Sequence, residues 1–162
     1  VYLRSQLRAA KNKTGRRPNI ATFTGDVWDV LQDHSEVTGR LGSDVTKLGT
    51  KQLVAQILNL EEVLVADGYE NTAAEEKTQV LVPLASKSCL LSYRPKAPGK
   101  MIPSAGYNFT WKNLPDSSNG EGVTTSRIPD PLRKIERIEA QYAHQFKITS
   151  ADLGAFLYDL IS

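Results

Sequence analysis

Arg16-Arg17-Pro18-Asn19-Ile20-Ala21-Thr22-Phe23-Thr24-Gly25-Asp26-Val27-Trp28-Asp29-Val30-Leu31-Gln32-Asp33-His34 holds the start of a sheet and the helix that follows it. Pro18 fixes its own φ and biases the residue before it toward extended backbone, so any helix upstream has to end here. Asn19 to Thr24 then reads as a short, largely buried strand, rich in β-branched and aromatic side chains. Thr24 is placed to cap a helix in which Val27, Val30, Leu31 and His34 share a face with Trp28 beside it. Asp26 and Asp29 lie near the positive end of that helix's dipole.

Working upstream, Val1 to Ala10 reads as helix, with Leu3 and Leu7 four residues apart, and Lys11 to Arg17 is the polar stretch that stops it. Val1-Tyr2-Leu3-Arg4 resembles neither a signal peptide nor a natural start, so a chain cut at its N-terminus is expected. Downstream, Ser35 to Gly49 is polar, with glycines at 39, 42 and 49. Thr50 opens a helix whose Leu53, Val54, Ile57 and Leu58 make one apolar stripe, and Glu62 to Ala66 follows as a strand closed by Asp67-Gly68. Asn71 to Gln79 is a surface excursion, Ser88 to Tyr93 a buried strand, and Pro95, Pro98 and Pro103 mark a stiff loop.

Tyr107, Phe109 and Trp111 alternate with Asn108, Thr110 and Lys112, the period of a strand with one aromatic face, expected to be core. Asp116 to Gly122 reads as an exposed turn, after which Val123 to Ile128 returns as the partner strand. For the tail, Ile138, Ala140, Tyr142, Phe146 and Ile148 fit strand alternation, while Ile135, Ile138, Tyr142 and Phe146 fit a helical stripe. The aromatic and β-branched content favours a long strand, then a turn or bulge at Asp152-Leu153-Gly154 and a last strand through Phe156 and Leu157. The fold class is α+β, with a central mixed sheet flanked by helices and long antiparallel strands toward the C-terminus.

Composition narrows the function classes. A formal net charge of +2 over 162 residues is too small for the phosphate-neutralising surface that nucleic-acid binding usually needs. Cys89 is the only cysteine, which leaves no internal disulfide, zinc knuckle or redox dithiol. No apolar run approaches the roughly 20 residues of a membrane-spanning helix. His34 ends a helix and His144 lies within a strand, each without partners that would make an acid–base pair or a metal site. Asp26, Asp29 and Asp33 read as a solvated helix face, and the glycines at 15, 39, 42 and 49 lack phosphate-loop spacing. Lys11, Lys13, Arg16 and Arg17 form a basic run with no aromatic platform among them, which reads as a solvated loop. No catalytic residue, metal or cofactor is expected.

Four segments together resemble one family. Thr14-Gly15-Arg16-Arg17-Pro18-Asn19-Ile20-Ala21 with Val27 to His34, Val63-Leu64-Val65-Ala66 with Tyr69, Asn71, Thr72 and Ala73, Gly106-Tyr107-Asn108-Phe109-Thr110-Trp111, and Tyr142 to Ile148 with Asp152 to Leu157 are similar to stretches of the major capsid protein of tailed bacteriophages. The resemblance implies the Hong Kong-type shell fold shared by tailed phages and encapsulins. On it, residues 1–17 are the end of a peripheral-domain helix and a linker, 18–130 the axial domain, and 131–162 strands returning to the peripheral domain. It also implies a structural, non-enzymatic subunit that self-assembles into the icosahedral head in the bacterial cytoplasm and resides in the virion. The expected partners are copies of the chain in hexamers and pentamers, a scaffold protein, and packaged DNA contacted without sequence preference. The N-terminal arm and extended loop that lace neighbours together in that fold have no counterpart in these residues.

Within this reading Glu36 to Thr50 and Asn113 to Val123 are the projecting loops, being polar, glycine-containing and long. Arg40, Lys47 and Lys51 facing Asp116 and Glu121 of a neighbour are the expected contacts between copies. The rival class is a stand-alone α+β module that binds a ligand or a protein.

Overall fold

The computed structural model describes residues 2–41, 51–111 and 123–161, with Arg40, Leu41 and Val123 by backbone alone. In chain order the elements are α1 (Tyr2–Thr14), β1 (Ile20–Thr24), α2 (Gly25–Asp33), α3 (Ser35–Leu41), α4 (Lys51–Leu58), β2 (Glu62–Ala66), β3 (Tyr69–Asn71) and β4 (Leu81–Pro83). They continue with β5 (Cys89–Ser92), β6 (Gly106–Thr110), β7 (Val123–Asp130), β8 (Ile135–Tyr142), β9 (His144–Ile148), a 3-10 turn Ala151–Leu153, and β10 (Gly154–Leu157). The class is α+β. Two compact units result, one of residues 1–105 with 150–162 and one of residues 106–149.

In the first unit β1 is the centre of a four-stranded mixed sheet, ordered β10-β5-β1-β2, parallel to β2 and antiparallel to β5, which in turn is antiparallel to β10. A central strand covered on both faces should be apolar throughout rather than alternating, and Ile20, Ala21, Phe23 and Thr24 are all buried. The parallel step from β1 to β2 requires a crossover, which α2, α3 and α4 supply. Their apolar sides close the core, where Phe23 meets Trp28 at 6.2 Å between ring centroids and Val27, Val54, Leu58 and Leu91 pack around them.

Several local expectations are corrected. α1 runs to Thr14, a turn past Lys11, because Gly15 at φ 71° closes it by donating its N–H to the Lys11 carbonyl at 2.8 Å. Thr24 occupies the cap position of α2 without capping it. Its hydroxyl instead faces β5, accepting from the Ser88 N–H at 3.2 Å, and bonds the Asp26 carboxylate. On α2, Val27 and Trp28 are buried whereas Val30 is half exposed. Ser35 to Leu41 forms α3 where a polar loop was expected, since Val37 buries itself in the core and tertiary packing overrides weak local periodicity. The rest of that stretch, 42–50, lies outside the described residues, as does the turn expected at 116–122.

The second unit is built of two ribbons. β6 pairs antiparallel with β9, from Gly106 opposite Ile148 to Thr110 opposite His144. β7 pairs antiparallel with β8, from Val123 opposite Tyr142 to Asp130 opposite Ile135. The partner expected for the aromatic strand β6 was therefore the wrong one: Val123 to Ile128 pairs with the first half of the tail, and β6 with the second. The tail is strand, and the long strand breaks at Ala143, whose carbonyl accepts from the Trp111 N–H at 3.1 Å. Asp130-Pro131 opens a turn, in which the Asp130 carboxylate accepts from the N–H groups of Leu132 and Arg133 at 3.1 and 3.3 Å.

Candidate interaction surface

Strand alternation puts Ile138, Ala140 and Tyr142 on one face of β8, and the same parity continues through His144, Phe146 and Ile148 of β9. Ring contacts show that the face is continuous across the break. Tyr142 stacks on His144 at 5.0 Å with 14° between the planes, and His144 meets Phe146 edge-on at 5.1 Å. These side chains are not covered within the described residues: Ile138 is 62% exposed, Tyr142 67%, Phe146 76% and Ile148 76%. On the β6 side of the other ribbon, Tyr107 and Phe109 meet edge to face at 6.1 Å, and Phe109 and Trp111 are exposed. The expectation that this aromatic stripe is core is corrected, because no second layer packs on it among the described residues.

Thr124 is the only buried side chain among the described residues of 106–149. A two-stranded ribbon alone is marginal in water, and one carrying apolar groups on both faces gains little from its own fold. Its exposed pairs, Arg127 with Glu136 at 4.0 Å and Arg137 with Glu139 at 2.5 Å, add little in water.

The first unit offers a complementary feature. A cavity of about 720 Å³ opens among α1, α2, α3, α4 and the C-terminal segment, lined by Leu3, Val30, Leu31, Val37, Ile57 and Ile161, with Arg4, His34, Ser35 and Glu36 among its polar members. Arg4 is anchored by donating to the Ile57 carbonyl at 2.8 Å, and the His34 ring nitrogen accepts from the Glu36 N–H at 3.2 Å. Cys89 stays out of any chemistry, since burial pushes its thiol up to about 12.

The five charged residues expected at contacts between copies are placed only in part. Lys51 opens α4 and is exposed, Arg40 lies on α3 with its side chain outside the described residues, and Lys47, Asp116 and Glu121 fall outside them altogether. The basic run does more structural work than a solvated loop. Arg16 lies over the Tyr93 ring at 5.3 Å and donates to its hydroxyl at 2.9 Å, Arg17 donates to the Leu58 carbonyl at the end of α4 at 2.6 Å, and Lys13 pairs with Asp152 at 2.6 Å. Cations at a helix C-terminus offset its unpaired carbonyls. Sequence reasoning missed the exposed stripe, although the alternation that reveals it was visible; exposure is not a property of periodicity.

The fold has a precedent. Among solved structures the chain is similar to a phage-related protein from Bordetella bronchiseptica, with a TM-score of 0.80 at 15% identity, over 98% of this chain and 50% of that one. The chain thus spans half the length of that neighbour, and the likeness is one of fold. No family model and no curated protein matches the sequence.

Proposed function

We propose that the chain is part of a phage or prophage major capsid protein of the Hong Kong-type fold, a non-enzymatic subunit that works by packing against copies of itself in an icosahedral head. Support comes first from the apolar stripe from Ile138 to Ile148, exposed on a unit whose described residues form almost no core. A monomer rarely exposes apolar patches of this kind without a partner. The fold likeness to a protein described as phage-related agrees with the reading. In it, residues 18–130 are the axial lobe, 131–162 return to the peripheral lobe, and 1–17 end the peripheral helix. Assembly takes place in the bacterial cytoplasm, with pentamers and hexamers of the chain as products, a scaffold protein as helper, and the packaged DNA touched without sequence preference. Arg40, Lys47 and Lys51 of one copy, facing Asp116 and Glu121 of the next, guide the register of neighbours, while the ribbons supply the apolar contact.

A second reading, a stand-alone module that binds a ligand, rests on the 720 Å³ cavity, whose size and apolar lining suit a small molecule. Sedimentation velocity of the full-length protein over a concentration series separates the two. Self-association into discrete multimers is the expected result, and a compact monomer at every concentration would favour the module.

A further inference from the structure

After β10 the chain passes through Asp159, in the left-handed region at φ 52°, and lays Leu160 and Ile161 against the core, where they form one wall of the apolar cavity. A backbone bond ties this segment to the sheet, the Leu160 N–H donating to the Lys87 carbonyl at 3.0 Å. Lys87 is an unusual anchor. It sits at φ 51°, which residues other than glycine adopt infrequently, and its side chain is exposed, so packing does not hold it there. Its N–H donates to one carboxylate oxygen of Asp26 at 2.6 Å, while the other oxygen accepts from the Val27 N–H at 2.9 Å and from the Thr24 hydroxyl. Next along the chain, Ser88 is fixed to Thr24, its N–H donating to the hydroxyl at 3.2 Å and its carbonyl accepting from the Thr24 N–H at 3.1 Å. A bond to a charged acceptor is stronger than a neutral one and offsets the cost of left-handed backbone. Lys87 is therefore clasped from both sides, by a carboxylate at the start of α2 and by the segment that walls the cavity.

We propose that residues 158–161 are a strap whose seating is set by Asp26, acting through the left-handed backbone of Lys87. With the carboxylate on the Lys87 N–H, the Lys87 carbonyl faces the Leu160 N–H and the strap lies down. Without it Lys87 relaxes to negative φ, its carbonyl turns away, and Leu160 and Ile161 lift from the cavity. Asp26 does not line the cavity and acts as a positioning residue. The device lies wholly in the first unit and does not depend on self-association.

Hydrogen exchange of the full-length protein, read on the peptide spanning 158–161, tests it. Asp26→Ala should speed exchange there by about tenfold, the scale of losing one hydrogen bond to a charged group, while amides of the β1–β5 ladder stay protected. Because Asp26→Ala also frees Thr24 and Val27, two variants at Lys87 isolate the backbone step. Lys87→Val, whose branched side chain disfavours left-handed backbone, should loosen the strap as Asp26→Ala does. Lys87→Gly, free to adopt that conformation, should leave it as protected as before. Labelling follows the cavity wall itself: Ile161→Cys should react faster with a maleimide in the Asp26→Ala background than without it, with the buried Cys89 as a slow internal reference. The strap is overturned if Asp26→Ala changes neither exchange at 158–161 nor the labelling rate, or if Lys87→Val and Lys87→Gly behave alike. An equal rise of exchange in the β1–β5 ladder would also overturn it, since that marks a general loosening of the fold.

Discussion

Asn19 ties three strands together at one point. Its side chain donates to Glu61 at 3.0 Å and to the Arg94 carbonyl at 2.7 Å, and accepts from the Arg94 N–H at 2.8 Å; its backbone bonds Ser92 and Glu61. Asn19→Ala should therefore lower stability by about 1 kcal/mol, since exposed bonds lost here are partly replaced by water, as read from urea unfolding. Asp26 does the same for the entry to β5. Desolvation raises its pKa, but bonds from the Thr24 hydroxyl, the Lys87 N–H at 2.6 Å and the Val27 N–H at 2.9 Å outweigh that and hold it below its ordinary 3.8. A depressed carboxyl contributes stability that is fully present above its unfolded pKa and is lost as pH falls through the folded one. Asp26→Asn should weaken the fold at neutral pH and flatten its loss of stability toward acid; an unchanged acid limb would contradict this role. Neither residue's long-range partner could be read in the sequence, because Arg94 and Lys87 lie far along the chain. Pro18-Asn19 announced only that a strand begins.

At the scale of elements, β1, β2, β5 and α4 were legible because each carries its own signal: β-branched runs with turn residues at their ends, and an apolar stripe at helical spacing. The pairing of β6 with β9 rather than β7 was not, since alternation sets which way side chains point and not which strand lies alongside. The β6–β9 ribbon also depends on one small residue. A Cβ on Gly106 would sit 3.1 Å from the Lys147 carbonyl oxygen, a backbone atom that cannot step aside without disturbing the pairing. Gly106→Val should raise hydrogen exchange in the β6 and β9 amides while those of β1 and β5 stay protected. In contrast, Phe23→Ala in the central strand should cost about 3–5 kcal/mol and loosen the four-stranded sheet. Equal exchange changes in both units for either variant would contradict their separate packing.

For the whole molecule, the sequence pointed to an α+β chain, but which of its apolar groups face outward depends on packing that periodicity does not encode. The same alternating residues, Ile138 to Ile148, would read identically as a core strand. Because they are exposed, they should affect association far more than folding: Tyr142→Ser is expected to change unfolding free energy by no more than about 0.5 kcal/mol while reducing self-association, measured by sedimentation against a urea titration. In the proposed function, copies of the protein close into a shell. Negative-stain electron microscopy of the full-length protein expressed by itself tests that most directly. Closed shells, or rings of five or six subunits, are the predicted result, and a field of compact single particles under conditions where the protein is folded would contradict it.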